Sequence, residues 1–354
     1  CRAGIPMPHM KSDYLLTGVC RGLMTQVRGV GGCLPVALLA IAVSAVIGEP
    51  TTSTRPAERT QVDRPAGKMG FEKAFFIPIQ DEINEVTLKS IERRIDDARK
   101  SGADLIIFDL DTPGGEAFTA LKICTAIKNL SPIHTVAWIN PDAYSAGAII
   151  ALACNEVVMS ARSKIGDCKP IMIGPEGGVQ AVPEDVDDKF TSPLIEELKD
   201  SSNRGGYDMQ MLMSMIRSGS DVFWVENGKT GERRFVRTSE RNRLFGLPDM
   251  PVPAVESEKS DDKKERSSGR RLLDSREPIS DELSKTDWRY VKNAPPLITV
   301  RQPVVPHNEL LTMGQDEAIA YGFARAKVSS ESELRSFLGI RGPIERLEYT
   351  KAED

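Results

Sequence analysis

The sequence predicts an α/β fold of parallel βα units joined by right-handed crossovers. Two patterns carry that expectation. Short unbroken apolar runs suit strands buried on both faces, and the stretches between them repeat apolar residues at helical spacing. Composition agrees: of 354 residues, 40% are hydrophobic and 27% charged, which excludes wholesale disorder and a polytopic membrane protein. Lys and Arg number 46 against 51 Asp and Glu, and the net charge of −5 argues against a general nucleic-acid binder. Six scattered cysteines give neither a disulfide scaffold nor metal-ligand spacing, and no motif asks for a cofactor.

Ala74 to Ile79 is the first strand-like run. Glu82 to Arg99 follows as an amphipathic helix, with Ile83, Val86, Leu88, Ile91 and Ile95 among charged residues. Asp104 to Asp111 reads as a second buried strand, Glu116 to Leu130 as a helix, and Ile133 to Ile139 as a third strand. Ser145 to Cys154 is a helix of small residues, and Glu156 to Met159 a fourth strand. Beyond Gly174 two helices are expected, near Val186 to Ser201 and Tyr207 to Arg217. A hairpin follows over Asp221 to Thr238, turning at Asn227-Gly228. Glu256 to Glu282 is charged and Ser-rich, with few large aliphatics, and reads as a solvated insertion. Thr312 with Gln315 has the capping-box pattern and should open a helix ending near Gly322. Ser330 with Glu333 should open a terminal one.

The amino end carries Arg2, Lys11, Arg21 and Arg28 ahead of the uncharged run Val30 to Gly48, the pattern of a secretory signal or a signal anchor. The positive flank should stay cytoplasmic, which places the rest of the chain outside the cytoplasm. The sequence opens at Cys1, and Met10 or Met24 are alternative starts. The expected organisation is a leader and apolar segment over 1–50, a linker over 51–73, a core over 74–255, the insertion over 256–282, and the remainder of the core over 283–354.

Two segments carry chemistry. Asp111-Thr112-Pro113-Gly114-Gly115 joins a buried strand to a helix, and its paired glycines allow backbone N–H groups to face a polarised oxygen. Alone, it fits an ordinary tight turn better. In Ala143-Tyr144-Ser145-Ala146-Gly147, Ser145 opens a helix where orphan N–H groups favour negative charge; alone, it fits a simple N-cap. Together they are more specific, because consecutive parallel strands bring both turns to one sheet edge. A serine beside a glycine-based oxyanion hole is what acyl transfer needs.

The serine needs a base. Of the three histidines, His9 lies in the leader, His134 starts a strand and His307 lies in a Pro-flanked segment, directly after Pro306, so a Ser-His-Asp triad is poorly supported. A desolvated, neutral lysine could serve instead, and Lys164, Lys169 and Lys189 lie downstream. Phe190, Leu194 and Ile195 could desolvate Lys189.

From about Phe75 to Leu338 the chain resembles the NfeD-type membrane-bound serine proteases of the ClpP/crotonase superfamily. The resemblance lies in Asp111 to Gly115, in Tyr144-Ser145-Ala146-Gly147 with its Ala-rich helix, and in Asn155 to Ser160. It extends to the Ile165-Gly166 turn and to Leu311-Thr312 through Gly322. It implies a ClpP/crotonase-like fold and a Ser-Lys dyad, with Ser145 as nucleophile, Lys189 as base, and Gly114, Gly115 and the Ala146 N–H in the oxyanion region. It further implies a homo-oligomer that cleaves apolar segments of membrane proteins, stomatin-like ones among them. The insertion at Glu256 to Glu282 departs from the family pattern. So does the acidic run Glu184 to Asp188, which favours a protonated Lys189. A catalytically silent scaffold that binds membrane-protein partners through the same groove is therefore the alternative. Acyl-CoA chemistry is a third reading, in which the serine elbow would be superfluous.

Overall fold

In the computed structural model, the described residues are 70–173, 179–181, 184–248 and 284–348. The leader, the apolar run Val30 to Gly48 and the insertion Glu256 to Glu282 lie outside them. Among the described residues no helix is long and apolar enough to cross a membrane.

The chain runs β1 (Ala74–Ile83), α1 (Glu85–Lys100), β2 (Leu105–Gly115), α2 (Ala117–Lys128), β3 (His134–Tyr144), α3 (Ala146–Ala153), β4 (Glu156–Met159) and β5 (Lys164–Gly166). A short hairpin, β6 (Ile171–Ile173) with β7 (Val179–Ala181), precedes helices α4 (Glu184–Gly205) and α5 (Met209–Ile216). Next come β8 (Val222–Asn227), β9 (Arg233–Arg237), α6 (Thr238–Phe245), β10 (Trp288–Tyr290), β11 (Asn293–Ala294) and β12 (Ile298–Thr299). The last elements are β13 (Thr312–Gly314), α7 (Gln315–Ala320), α8 (Glu331–Leu338) and β14 (Ile344–Arg346).

The main sheet has the order β13-β5-β3-β2-β1-β14, with β4 also paired to β3. All its pairings are parallel except β13 on β5. The α/β class and the βα units are thus as expected. Alternation explains the unbroken apolar runs. Phe75, Ile77 and Ile79 of β1 join the core that contains Ile91, Ile95, Ile123 and Ile149 of the first three helices. Ala74 and Phe76 join a second core, with Leu334 and Leu338 of α8.

Helix starts follow their side chains. Asn84 caps α1, its Oδ1 accepting the N–H groups of Val86 (3.0 Å) and Thr87 (3.1 Å). Asp208 caps α5 in the same way. Ser330 accepts from Glu333 N–H (3.2 Å) and opens α8 as the sequence predicted. The expected cap at Thr312 is corrected: Thr312 to Gly314 pair antiparallel with Gly166 to Lys164, which holds them extended. The helix starts two residues beyond that expectation, behind Gly314, whose N–H donates to the Glu317 carboxylate (3.1 Å). The expected β-hairpin is present as β8–β9, with β10 added on the other side of β8, but its turn is longer than Asn227-Gly228. Glu226 pairs with Arg233, the Asn227 Oδ1 accepts the N–H groups of Lys229 (2.9 Å) and Thr230 (3.1 Å), and the positive φ falls at Gly231.

Candidate active site

The C-terminal ends of β1, β2 and β3 meet at one edge of the sheet, and all three are irregular there. The β1–β2 ladder slips at Asp81, a non-glycine residue at φ 64°, and the β2–β3 ladder slips at Asp111. Such bulges bend a strand and redirect its side chains. Beyond them β2 enters the glycine turn and β3 ends at Tyr144.

Ser145 sits between β3 and α3 at φ 52°, ψ −119°. This backbone is sparsely populated for a residue with a side chain and costs on the order of 1–3 kcal/mol. Surrounding groups hold it. Ser145 N–H donates to Gly166 O (3.0 Å), and the Cys168 thiol lies 3.5 Å from Ser145 O as a donor. Ala148 N–H makes the first bond of α3, to Ser145 O (3.1 Å), which leaves Ala146 and Gly147 at the helix head. The Ser145 hydroxyl forms no cap bond, so the plain N-cap alternative does not describe it. The residue is half-buried.

Gly114 lies directly against this serine. A Cβ on Gly114 would stand 2.6 Å from Ser145 Cβ and 3.1 Å from its Oγ, and Gly114 is at φ 106°. The two motifs the sequence singled out are therefore in contact. Gly115 backs onto β1 instead, where a Cβ would meet Ile83 O at 2.2 Å. Its neighbour Glu116 donates its N–H to that same oxygen (2.8 Å). One expectation changes: Gly114 N–H is not open to a ligand, because it donates to Thr112 Oγ1 (3.1 Å). What Gly114 contributes to the site is space.

The lysines stand differently from expectation. Lys164, Lys169 and Lys189 are all exposed, and among the described residues none is hydrogen-bonded to Ser145. Of the apolar residues expected to desolvate Lys189, Leu194 is buried in the main core and Ile195 packs against that core, and the side chain of Phe190 lies outside what the structure describes. His134 is a strand residue, 3.7 Å from Glu156 and stacked on Phe71, and His307 pairs with Asp221 (3.2 Å). Burial followed by the charges of Asp142 and Asp81 pushes the Asp111 carboxyl up. Among the described residues no group of His, Cys, Asp and Glu could hold a metal ion.

A strained serine between a strand and a helix, facing a side-chain-free turn at the C-terminal edge of a parallel sheet, has the geometry of a nucleophile elbow. Residues 73–235 match the family model described as NfeD1b, N-terminal domain. The NfeD-type resemblance, expected from about Phe75 to Leu338, is borne out over residues 73–235. The membrane protein NfeD1b of Bacillus subtilis is 27% identical over 148 residues, 42% of this chain and 32% of its own length. The membrane-bound protease PH1510 of Pyrococcus horikoshii is 32% identical over 133 residues, 36% of this chain and 29% of its own. The chain spans about a third of the length of these curated relatives. Among solved structures, a 1510-N membrane-bound stomatin-specific protease, a lysine-to-alanine variant with a substrate peptide, aligns at 17% identity. The alignment covers 79% of this chain and 93% of that one, with a TM-score of 0.47.

Proposed function

We propose that this chain is a membrane-associated serine peptidase of the Ser-Lys type. Ser145 attacks the scissile carbonyl, and the N–H groups of Gly115 and Ala146 hold the resulting oxyanion. Lys189, when neutral, takes the hydroxyl proton and returns it to the leaving amine. The observation that carries this reading is the backbone of Ser145 at φ 52°, ψ −119°, with Gly114 bare against it. A scaffold that only bound partners would need neither the strain nor the space, so the silent alternative is not favoured. The similarity of residues 73–235 to a domain family with a named protease relative supports the same class of reaction.

Lys189 is exposed, so its neutral form requires burial by something laid over the start of α4. A bound apolar substrate, or a second copy of the chain in a homo-oligomer, would supply that cover and bring the amine within about 2.6–3.2 Å of the hydroxyl. An apolar segment of a stomatin-like membrane protein is the proposed substrate, and the run Val30 to Gly48 the proposed signal or anchor, with the catalytic part outside the cytoplasm. The direct experiment offers apolar peptides to the wild-type chain and to Ser145→Ala. Cleavage by the first alone, with both variants unfolding at the same temperature, is the expected result. Equal cleavage by both would remove Ser145 from the mechanism.

A further inference from the structure

We propose that Thr112 is the positioning residue of this site, its hydroxyl holding the Gly114–Gly115 turn against the Ser145 elbow while its methyl packs on α3. This rests on the peptidase reading for its catalytic consequence, although the contacts stand without it. Thr112 is 1% exposed and touches three elements. Its hydroxyl donates to Asp81 O (2.5 Å), the carbonyl that the β1 bulge turns toward it. The Thr112 Oγ1 in turn accepts Gly114 N–H (3.1 Å). Its methyl faces α3 so closely that a Cβ on Gly147 would meet Thr112 Cγ2 at 2.4 Å.

The consequence follows from peptide geometry. With Gly114 N–H tied to Thr112, the peptide plane before Gly114 is fixed. The next plane, which carries Gly115 N–H, can then turn only about the φ and ψ of Gly114. That N–H is one of the two proposed oxyanion donors, while the other, on Ala146, belongs to the helix against which the Thr112 methyl rests. One side chain therefore sets the spacing between both donors. The two halves of that side chain are separable: valine retains the shape and loses the hydroxyl, and serine retains the hydroxyl and loses the methyl.

The test compares wild type, Thr112→Val and Thr112→Ser in the full chain. Amide hydrogen exchange at Gly114 should accelerate on the order of tenfold in Thr112→Val and stay near wild type in Thr112→Ser. Unchanged exchange in Thr112→Val would overturn the proposal. On a cleaved peptide, Thr112→Val should lower kcat on the order of 10²-fold with KM unchanged, and Thr112→Ser should recover most of the loss. A merely structural threonine would instead show kcat per folded molecule unaltered in both variants, which would also overturn it. If the wild type cleaves no peptide, the peptidase reading fails, and exchange at Gly114 still decides whether Thr112 holds the turn.

Discussion

At Gly114 a hydrogen atom stands where any other residue would put carbon into the serine. An alanine there would suffer twice, from a Cβ 2.6 Å from Ser145 Cβ and from a left-handed backbone at φ 106°. Gly114→Ala should therefore lower stability by about 1–3 kcal/mol and abolish turnover, read by urea unfolding beside a peptide-cleavage assay. Turnover at the wild-type rate would mean that the Ser145 hydroxyl is reached from another side. The neighbouring thiol adds a second constraint. Cys168 is fully buried, and burial pushes its thiol far up, so at neutral pH it remains a donor toward Ser145 O and is no rival nucleophile.

Among the elements, α4 carries the lysine proposed as the base. Lys128 ties α4 to α2 through Glu197 (2.7 Å), and Arg217 reaches it at Thr191 (2.8 Å), both from Thr191 onward. Pro193 sits inside the helix. A proline has no N–H for the carbonyl four residues earlier, and that carbonyl belongs to Lys189. The helix thus lacks one backbone bond at the residue proposed as the base. Pro193→Ala should raise stability by up to about 3 kcal/mol in thermal unfolding while reducing kcat, since a continuous helix fixes the lysine in its exposed position. A kcat equal to that of wild type would show that the proline has no part in bringing the amine in. Much of this layer was legible in advance. Apolar runs gave β1 to β4 because burial on both faces leaves no polar positions in the middle of a strand. The pairing of the two turns was legible because parallel strands deliver their ends to one edge. Thr312 was not legible, because a local capping pattern lost to a ladder with β5, a partner remote in sequence. Nor was the use of Gly114 N–H, since a threonine two residues earlier in a turn motif does not announce that its hydroxyl folds back.

Across the whole molecule, stability depends on how the two cores flanking the sheet are closed. Asp109 of β2 lies in the second layer beside Arg346 of β14, whose guanidinium sits over Phe76 and also reaches Glu331 (3.3 Å). Burial raises the Asp109 carboxyl above its ordinary 3.8, and Arg346 only partly opposes it. Between the ordinary value and the raised one, the folded chain thus holds a proton that the unfolded chain has released. Stability contributed by this group is full below pH about 3.8 and is lost as pH rises through the folded value. Asp109→Asn should flatten that decline, seen as a smaller fall in Tm between pH 4 and neutrality. A decline as steep as in wild type would assign it to other groups. The proposed mechanism also makes its demand at this scale, because an exposed Lys189 would act as base only with a substrate or a second copy over it. The central claim reduces to one covalent event at Ser145. Intact-mass analysis of the chain quenched during turnover of an apolar peptide should reveal an acyl adduct, mapped by proteolysis to Ser145 and missing from Ser145→Ala. Peptide cleavage that persists with no adduct on Ser145, or with the adduct on another residue, would contradict the account.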